Sequence, residues 1–222
     1  MKNELFKRIV SSIILIPLVF LMISLGSYFF NTLILICLLI VSYEWFMMTK
    51  KKIYIFFGYI FFIFSFYSIY KIRNIYEEGF EFVLFIMLIC ICTDIGGFIF
   101  GKIFKGPKLT KISPNKTYAG VLGGYILSFI ILLFVLYFDF YFSTISIDAF
   151  LSPYNIIMIF AISTVSQLGD IVISYFKRQS KKEDTGNLIP GHGGILDRID
   201  GMIFAFPIIY IIYFHEYEFW IW

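Results

Sequence analysis

Residues 80–100 read FEFVLFIMLICICTDIGGFIF. The stretch is long enough, at about 20 residues, to cross the hydrocarbon core of a bilayer as a helix. It also carries an acid, Asp94, well inside its apolar run. A charge placed deep in hydrocarbon costs at least ~2.5–3.5 kcal/mol on insertion scales and marks a site or a paired interior.

Six more apolar stretches have the same character, at approximately 9–25, 28–48, 53–70, 119–138, 155–176 and 201–216. The composition agrees: 60% of the 222 residues are hydrophobic and only 15% are charged. A soluble core of this length cannot bury that much apolar surface. A water-soluble globular protein, a disordered chain and a disulfide-rich secreted module are therefore excluded. The expected fold is an all-α integral membrane protein of about seven transmembrane helices, with residues 1–222 as a single polytopic domain. The first stretch follows Lys7 and Arg8 as a signal peptide would. It is too long for one and lacks an A-x-A cleavage site, so a retained first helix is expected. Cys37, Cys90 and Cys92 all sit in apolar runs, and the spacing Cys90-x-Cys92 is not that of a zinc site.

The cations give a direction. All of the 18 Lys and Arg except Lys71 and Arg73 fall at the N-terminus or in the second, fourth and sixth connections. The positive-inside rule then places the N-terminus in the cytoplasm and the C-terminus outside.

The acids sort along the same axis. Asp94 lies about seven residues, or ~10 Å, from the inner end of the fourth span, and Asp170 lies at a similar depth in the sixth. Asp197 and Asp200 precede the outward-going seventh. Glu44 also lies within a span. Four Asp from three segments thus gather at one depth. Asp170, Ser174 and Lys177 share a helix face as i, i+4 and i+7, and Asp197 and Asp200, as i, i+3, share one if the helix has begun there. Oxygen ligands among many cations suit a hard divalent ion, Mg²⁺, holding a polyphosphate. The alternative is a set of buried ion pairs that fix helix packing.

Two cytoplasmic loops border these acids. The first contains Ser113-Pro-Asn-Lys116-Thr117, turn chemistry that leads into a helix. With Ser113 and Lys116 beside a helix N-terminus, it is a candidate phosphate contact, the alternative being a basic inner loop that faces anionic lipid. The spacing of Gly97, Gly101, Gly120 and Gly124 is better read as close helix packing. The second loop runs from Ser174-Tyr-Phe-Lys-Arg178 to Pro190-Gly-His-Gly-Gly-Ile-Leu-Asp-Arg-Ile-Asp200. Its glycines, Gly193 and Gly194 among them, let a backbone approach a ligand closely. Lys177, Arg178 and Arg198 offer contacts to phosphate. His192 is equally a ligand donor or a plain loop residue.

Residues Ser174 to Asp200 resemble the C-terminal signature of the phosphatidate cytidylyltransferases, the CDP-diacylglycerol synthases. That pattern is S-x-x-K-R-x4-K-D, a spacer, then P-G-H-G-G-x-x-D-R-x-D. Asp94 with its glycines, Ser113 to Thr117, and Gly169-Asp170 resemble other blocks of the family. The catalytic blocks are expected at about 94–124 and 166–201. Two departures stand out: Glu183 replaces a family Lys before Asp184, and Tyr118-Ala119 replaces a usual Trp-Glu. The chain is also about two helices shorter than many bacterial members.

The resemblance implies a reaction of CTP with phosphatidate to give CDP-diacylglycerol and pyrophosphate. It places this at the cytoplasmic face of a bacterial inner membrane, in phospholipid biosynthesis. Asp170, Asp197 and Asp200 would hold Mg²⁺, as one ion, two, or one with a monovalent cation. Asp94 would be a further partner. Lys177, Arg178, Arg198 and Lys116 would hold phosphates, and Ser174 and His192 would orient ligands. Membrane lipid is the expected surrounding partner, a homodimer is an open assembly, and no nucleic acid is expected. The rival readings are a polyprenol kinase or another CDP-lipid synthase, a transporter, and a scaffold whose site has decayed.

Overall fold

A computed structural model describes residues 2–50, 52–75, 79–142, 153–189, 191 and 193–219. Its helices are α1 (Lys2–Leu25), α2 (Ser27–Thr49), α3 (Ile55–Ile75), α4 (Gly79–Phe104), α5 (Tyr118–Phe142), α6 (Pro153–Gln179), a single turn α7 (Leu196–Ile199), and α8 (Met202–Phe219). Among the described residues there is no strand, only the isolated bridges Lys108 to Thr117 and Ile189 to Gly193. In lipid a helix is the open-chain way to satisfy every backbone group internally, so apolar runs of this length become helices. Each of the seven expected stretches is helical. Helices α2 to α6 are long and apolar enough to cross a membrane, while Ile9–Leu25 and Met202–Ile212 are shorter apolar helices.

Gly26, at φ +61°, breaks the chain between α1 and α2. Arg73 reaches back from α3 and donates to the freed carbonyl of Ile23 at 3.2 Å. Buried Phe30, Phe62, Ile86, Ile159 and Ile203 fill the bundle, and Phe56, Ile60, Ile63, Ile126 and Ile130 stand exposed around it. An apolar exterior is what a lipid-facing surface requires.

Helices α4 and α5 approach backbone to backbone, and glycine is the reason. A Cβ on Gly96 would run into the carbonyl oxygen of Gly123, and one on Gly120 would stand 2.7 Å from that of Gly97. A Cβ on Gly97 would meet only the Gly120 oxygen, at an ordinary 3.6 Å. Gly96→Ala is therefore expected to cost about 1–3 kcal/mol by overpacking, while Gly97→Ala is tolerated. Thermal unfolding of the two variants in detergent checks this.

One end of the bundle carries the polar chemistry. There the C-terminus of α2 meets that of α6: Ser180 donates to the Met48 carbonyl at 2.6 Å, and Lys182 Nζ to that of Met47 at 3.1 Å. Trp45 of α2 packs edge-on against Phe62 and Phe176 and donates to the Ile55 carbonyl at 3.1 Å. Helix α6 ends in a Schellman motif. Lys182 N bonds Lys177 O at 2.9 Å, Lys181 N bonds Arg178 O at 3.0 Å, and Lys181 takes the left-handed position at φ +55°. The loop that follows folds back over this end to reach α8.

Candidate functional site

Lys116 sits one residue before Thr117, which caps α5. The Thr117 hydroxyl accepts the Gly120 N–H at 3.1 Å, and the Tyr118 N–H goes to the Pro107 carbonyl at 3.2 Å. Two of the first amides of α5 are thus already engaged. The turn before them is closed by Lys116 N to Ser113 O at 3.1 Å and by Ser113 N to Thr110 Oγ1 at 3.1 Å. Ser113 thereby shapes the turn that aims Lys116. The Lys116 ammonium reaches across to α6, where it pairs with Asp170 Oδ2 at 2.6 Å and donates to the Gln167 carbonyl at 3.2 Å. On the other oxygen, Asp170 accepts from Ser174 at 3.2 Å, as the i, i+4 spacing requires.

Asp94, Asp170 and Asp200 come together. Each of the three lies within electrostatic reach of the other two, and Lys116 and Arg198 act on Asp94. Asp94 is exposed on α4 and Asp170 half-buried, while Asp200 is buried. Asp200 accepts the Gly201 N–H at 2.9 Å. Burial first, then the charges of Asp170 and Asp94, push its carboxyl well above the ordinary carboxylate range, and Lys177 and the Gly201 amide only partly offset them.

Asp197 has a different setting. Its Oδ1 pairs with Lys177 Nζ at 2.9 Å. Its Oδ2 accepts from the Thr185 N–H at 2.8 Å, the Thr185 hydroxyl at 2.9 Å and the Gly194 N–H at 3.0 Å. Burial works to raise this carboxyl, but the Lys177 hydrogen bond and charge, with the two amides, hold it below the usual range. Oδ2 is saturated, and one lone pair of Oδ1 remains beside Lys177.

A residue the sequence reading did not assign completes the arrangement. Glu44 of α2 is buried, at 3% exposure. Its Oε1 accepts the Ile195 N–H at 2.9 Å; its Oε2 accepts the Leu196 N–H and the Thr185 hydroxyl, each at 2.9 Å. Gly194 is small for this reason: a Cβ there would meet Thr185 Oγ1 and stand 2.5 Å from Glu44 Oε2. Gly193 turns the chain at φ +86° and bonds back through its carbonyl to Ile189 N at 2.9 Å. Arg178 and Arg198 are exposed at the rim. Pro190 and His192 lie outside the described residues.

Among the described residues, no group of three or more carboxylate, thiol or imidazole side chains already converges as a metal cage. The donor chemistry nevertheless fits a hard divalent ion. Three carboxylates repel one another with Lys116 paired to only one of them, and Mg²⁺ characteristically takes one or two carboxylates together with substrate phosphates.

Comparison with known proteins bears on the same residues. The chain is similar to a phosphatidate cytidylyltransferase of Staphylococcus saprophyticus, 39% identical over 150 residues that make up 67% of this chain and 54% of that protein. The protein of the same name from Staphylococcus haemolyticus is 38% identical over 138 residues, 61% of this chain and 50% of the relative. That from Staphylococcus epidermidis is 37% identical over 150 residues, 67% and 54% of the two chains. The chain spans about half the length of the curated relatives it matches. The model of the cytidylyltransferase family matches residues 50–215, a stretch that holds every acid and cation of the site except Glu44. With most of its length matched by that model, the chain belongs to the cytidylyltransferase family.

Proposed function

We propose that the protein transfers the cytidylyl group of CTP to phosphatidate, giving CDP-diacylglycerol and pyrophosphate, at the cytoplasmic face of the membrane. The observation that carries this reading is the meeting of Asp94, Asp170 and Asp200 with Lys116 and Lys177 at one end of the helix bundle. The names of the curated relatives point the same way.

CTP is a soluble polyanion, so its site must face the basic side. Phosphatidate is held at that interface by its acyl chains. Its phosphate is already ionised near neutral pH and needs no dedicated general base. A phosphate oxygen of the lipid attacks the α-phosphorus of CTP in line, the new P–O bond forms, the α–β anhydride bond breaks, and pyrophosphate leaves. The protein's part is positioning and charge neutralisation.

Asp170 and Asp200, with Asp94 beside them and the free lone pair of Asp197 Oδ1, would hold Mg²⁺. When bound, the ion neutralises phosphate charge and orients the nucleotide. Lys116 and Lys177, each paired with an Asp, can turn to incoming phosphate. Arg178 and Arg198 at the rim supply forked contacts. Ser174 holds the Asp170 carboxylate in place, and His192 is assigned to ligand orientation. Ser113, Gly193 and Gly194 shape the two loops that border the nucleotide. The protein would work as an integral inner-membrane enzyme surrounded by lipid, as a monomer or a homodimer.

The test is purified protein with CTP, phosphatidate and Mg²⁺, scored for CDP-lipid and pyrophosphate in equal amounts. Release of neither product would sink the reading. The membrane model has its own test. Single cysteines at Lys108 and Lys71 should be labelled by an impermeant reagent from opposite sides, and labelling of both from one side would refute it.

A further inference from the structure

Glu44 lies outside residues 50–215, the stretch matched by the family model. A buried carboxylate in a transmembrane helix is costly and calls for a purpose. Here its ligands are all donors from one loop: the amides of Ile195 and Leu196 and the hydroxyl of Thr185. The two amides open the turn α7, which carries Asp197 and Arg198 and runs directly into Asp200. They belong to the N–H groups that a helix start leaves without intrahelical partners.

We propose that Glu44 is a positioning residue for the cytidylyl transfer, an inference that rests on the function proposed above. It ties Thr185, Ile195 and Leu196 to α2 and so fixes Lys177, Arg198 and Asp200 toward the nucleotide. The link is short. Thr185 has one hydroxyl proton and two carboxylate oxygens at 2.9 Å, Glu44 Oε2 and Asp197 Oδ2. The two acids compete for this one proton, so a change at either bears on the other. Asp197 in turn holds Lys177 at 2.9 Å. The path Glu44, Thr185, Asp197, Lys177 therefore crosses from α2 to α6 in three contacts. The loop is shaped to fit: a Cβ on Gly186 would stand 2.9 Å from Glu44 Oε1, and one on Gly194 would stand 2.5 Å from Oε2.

Glu44→Gln is a sharp probe because it keeps the shape. Three donors face the Glu44 carboxylate, and a glutamine must turn an NH₂ toward at least one of them. The experiment uses the full-length protein in detergent, with steady-state kinetics and limited trypsin digestion at Lys181, Lys182 and Arg198. The Gln variant is expected to raise KM for CTP about five- to twenty-fold, because the phosphate-binding cations lose their placement. Trypsin cleavage in the loop should speed up by about fivefold or more as local opening becomes easier. Glu44→Asp, which restores the carboxylate one methylene short, should fall between the two proteins in both measurements.

A merely structural Glu44 would reduce the folded fraction, lowering kcat and leaving KM unchanged; that result overturns the proposal. Wild-type KM together with wild-type cleavage overturns it as well. Should Glu44→Gln fail to fold, Thr185→Val and Thr185→Ser decide. Valine breaks the link and should raise KM for CTP, serine keeps it and should not, and identical behaviour of the two overturns the inference. If the wild-type protein makes no CDP-lipid, the functional reading has failed independently. The digestion then decides alone, and equal cleavage rates of wild type and Glu44→Gln would overturn the positioning role.

Discussion

Asp170→Asn is expected to lower CDP-lipid synthesis by about 10²–10³-fold, the scale on which a single electrostatic contributor to a transition state is worth, while the protein stays folded. The two halves of this result have separate causes. Activity falls because Asp170 is the acid that joins the parts of the site. It pairs with Lys116 at 2.6 Å, accepts from Ser174 at 3.2 Å and lies within electrostatic reach of Asp94 and Asp200. Under the proposed function, neutralising it would weaken the hold on a divalent cation, and it leaves Lys116 with only the Gln167 carbonyl. Stability holds because opposing terms nearly cancel. The Lys116–Asp170 side chains are 23% and 27% exposed, and a pair so open to solvent contributes only about 0–1 kcal/mol. Against that loss, Asn removes one of the charges that push the Asp200 carboxyl upward. The unfolding midpoint should shift little, and circular dichroism in detergent with the synthesis assay checks both halves.

Asp197→Asn should fail differently, losing activity and stability together. The Lys177–Asp197 side chains are only 14% and 5% exposed. Removing one partner of a buried pair costs about 3–5 kcal/mol, because the other charge is left without compensation. The groups facing Asp197 are donors throughout: Lys177 on one oxygen, Thr185 and Gly194 on the other. An asparagine NH₂ has nowhere to point. Thermal unfolding and loop proteolysis should both register the change. Replacing the pair together, as Lys177→Met with Asp197→Leu, should recover only part of the stability and none of the activity, because the Thr185 and Gly194 amides then lose their acceptor. The same geometry sets an acid limit. The Asp197 carboxyl is held below its ordinary range. Its contribution is therefore present above the unfolded pKa of about 3.9 and is lost as pH falls through the lower native value.

The contrast between these two acids shows where sequence reading stops. The seven apolar stretches were legible because hydrocarbon leaves an apolar run little choice but a helix. The meeting of Asp94, Asp170 and Asp200 was legible because depth along a helix follows from counting residues. The i, i+3 spacing of Asp197 and Asp200 put both on one face of a helix. It could not tell that α7 is a single turn, with Asp197 folded back onto Lys177 and Thr185. That Glu44 and Thr185 fill the space a Cβ on Gly194 would need could not be read from the loop sequence. Glu44 itself was within reach. It lies five residues before the end of α2 at Thr49, on the same inner side as the other acids but nearer the helix end, and no helical spacing ties α2 to a loop some 150 residues away. Thr185 gave no signal, since a hydroxyl between two charged motifs looks like any loop residue.

The most direct measurement of the central claim compares CTP labelled at the α-phosphorus with CTP labelled at the γ-phosphorus. Both are supplied to the purified protein with phosphatidate and Mg²⁺. The α label should enter the lipid and the γ label should leave as pyrophosphate. Entry of the γ label into lipid, with CDP as the other product, would contradict the account.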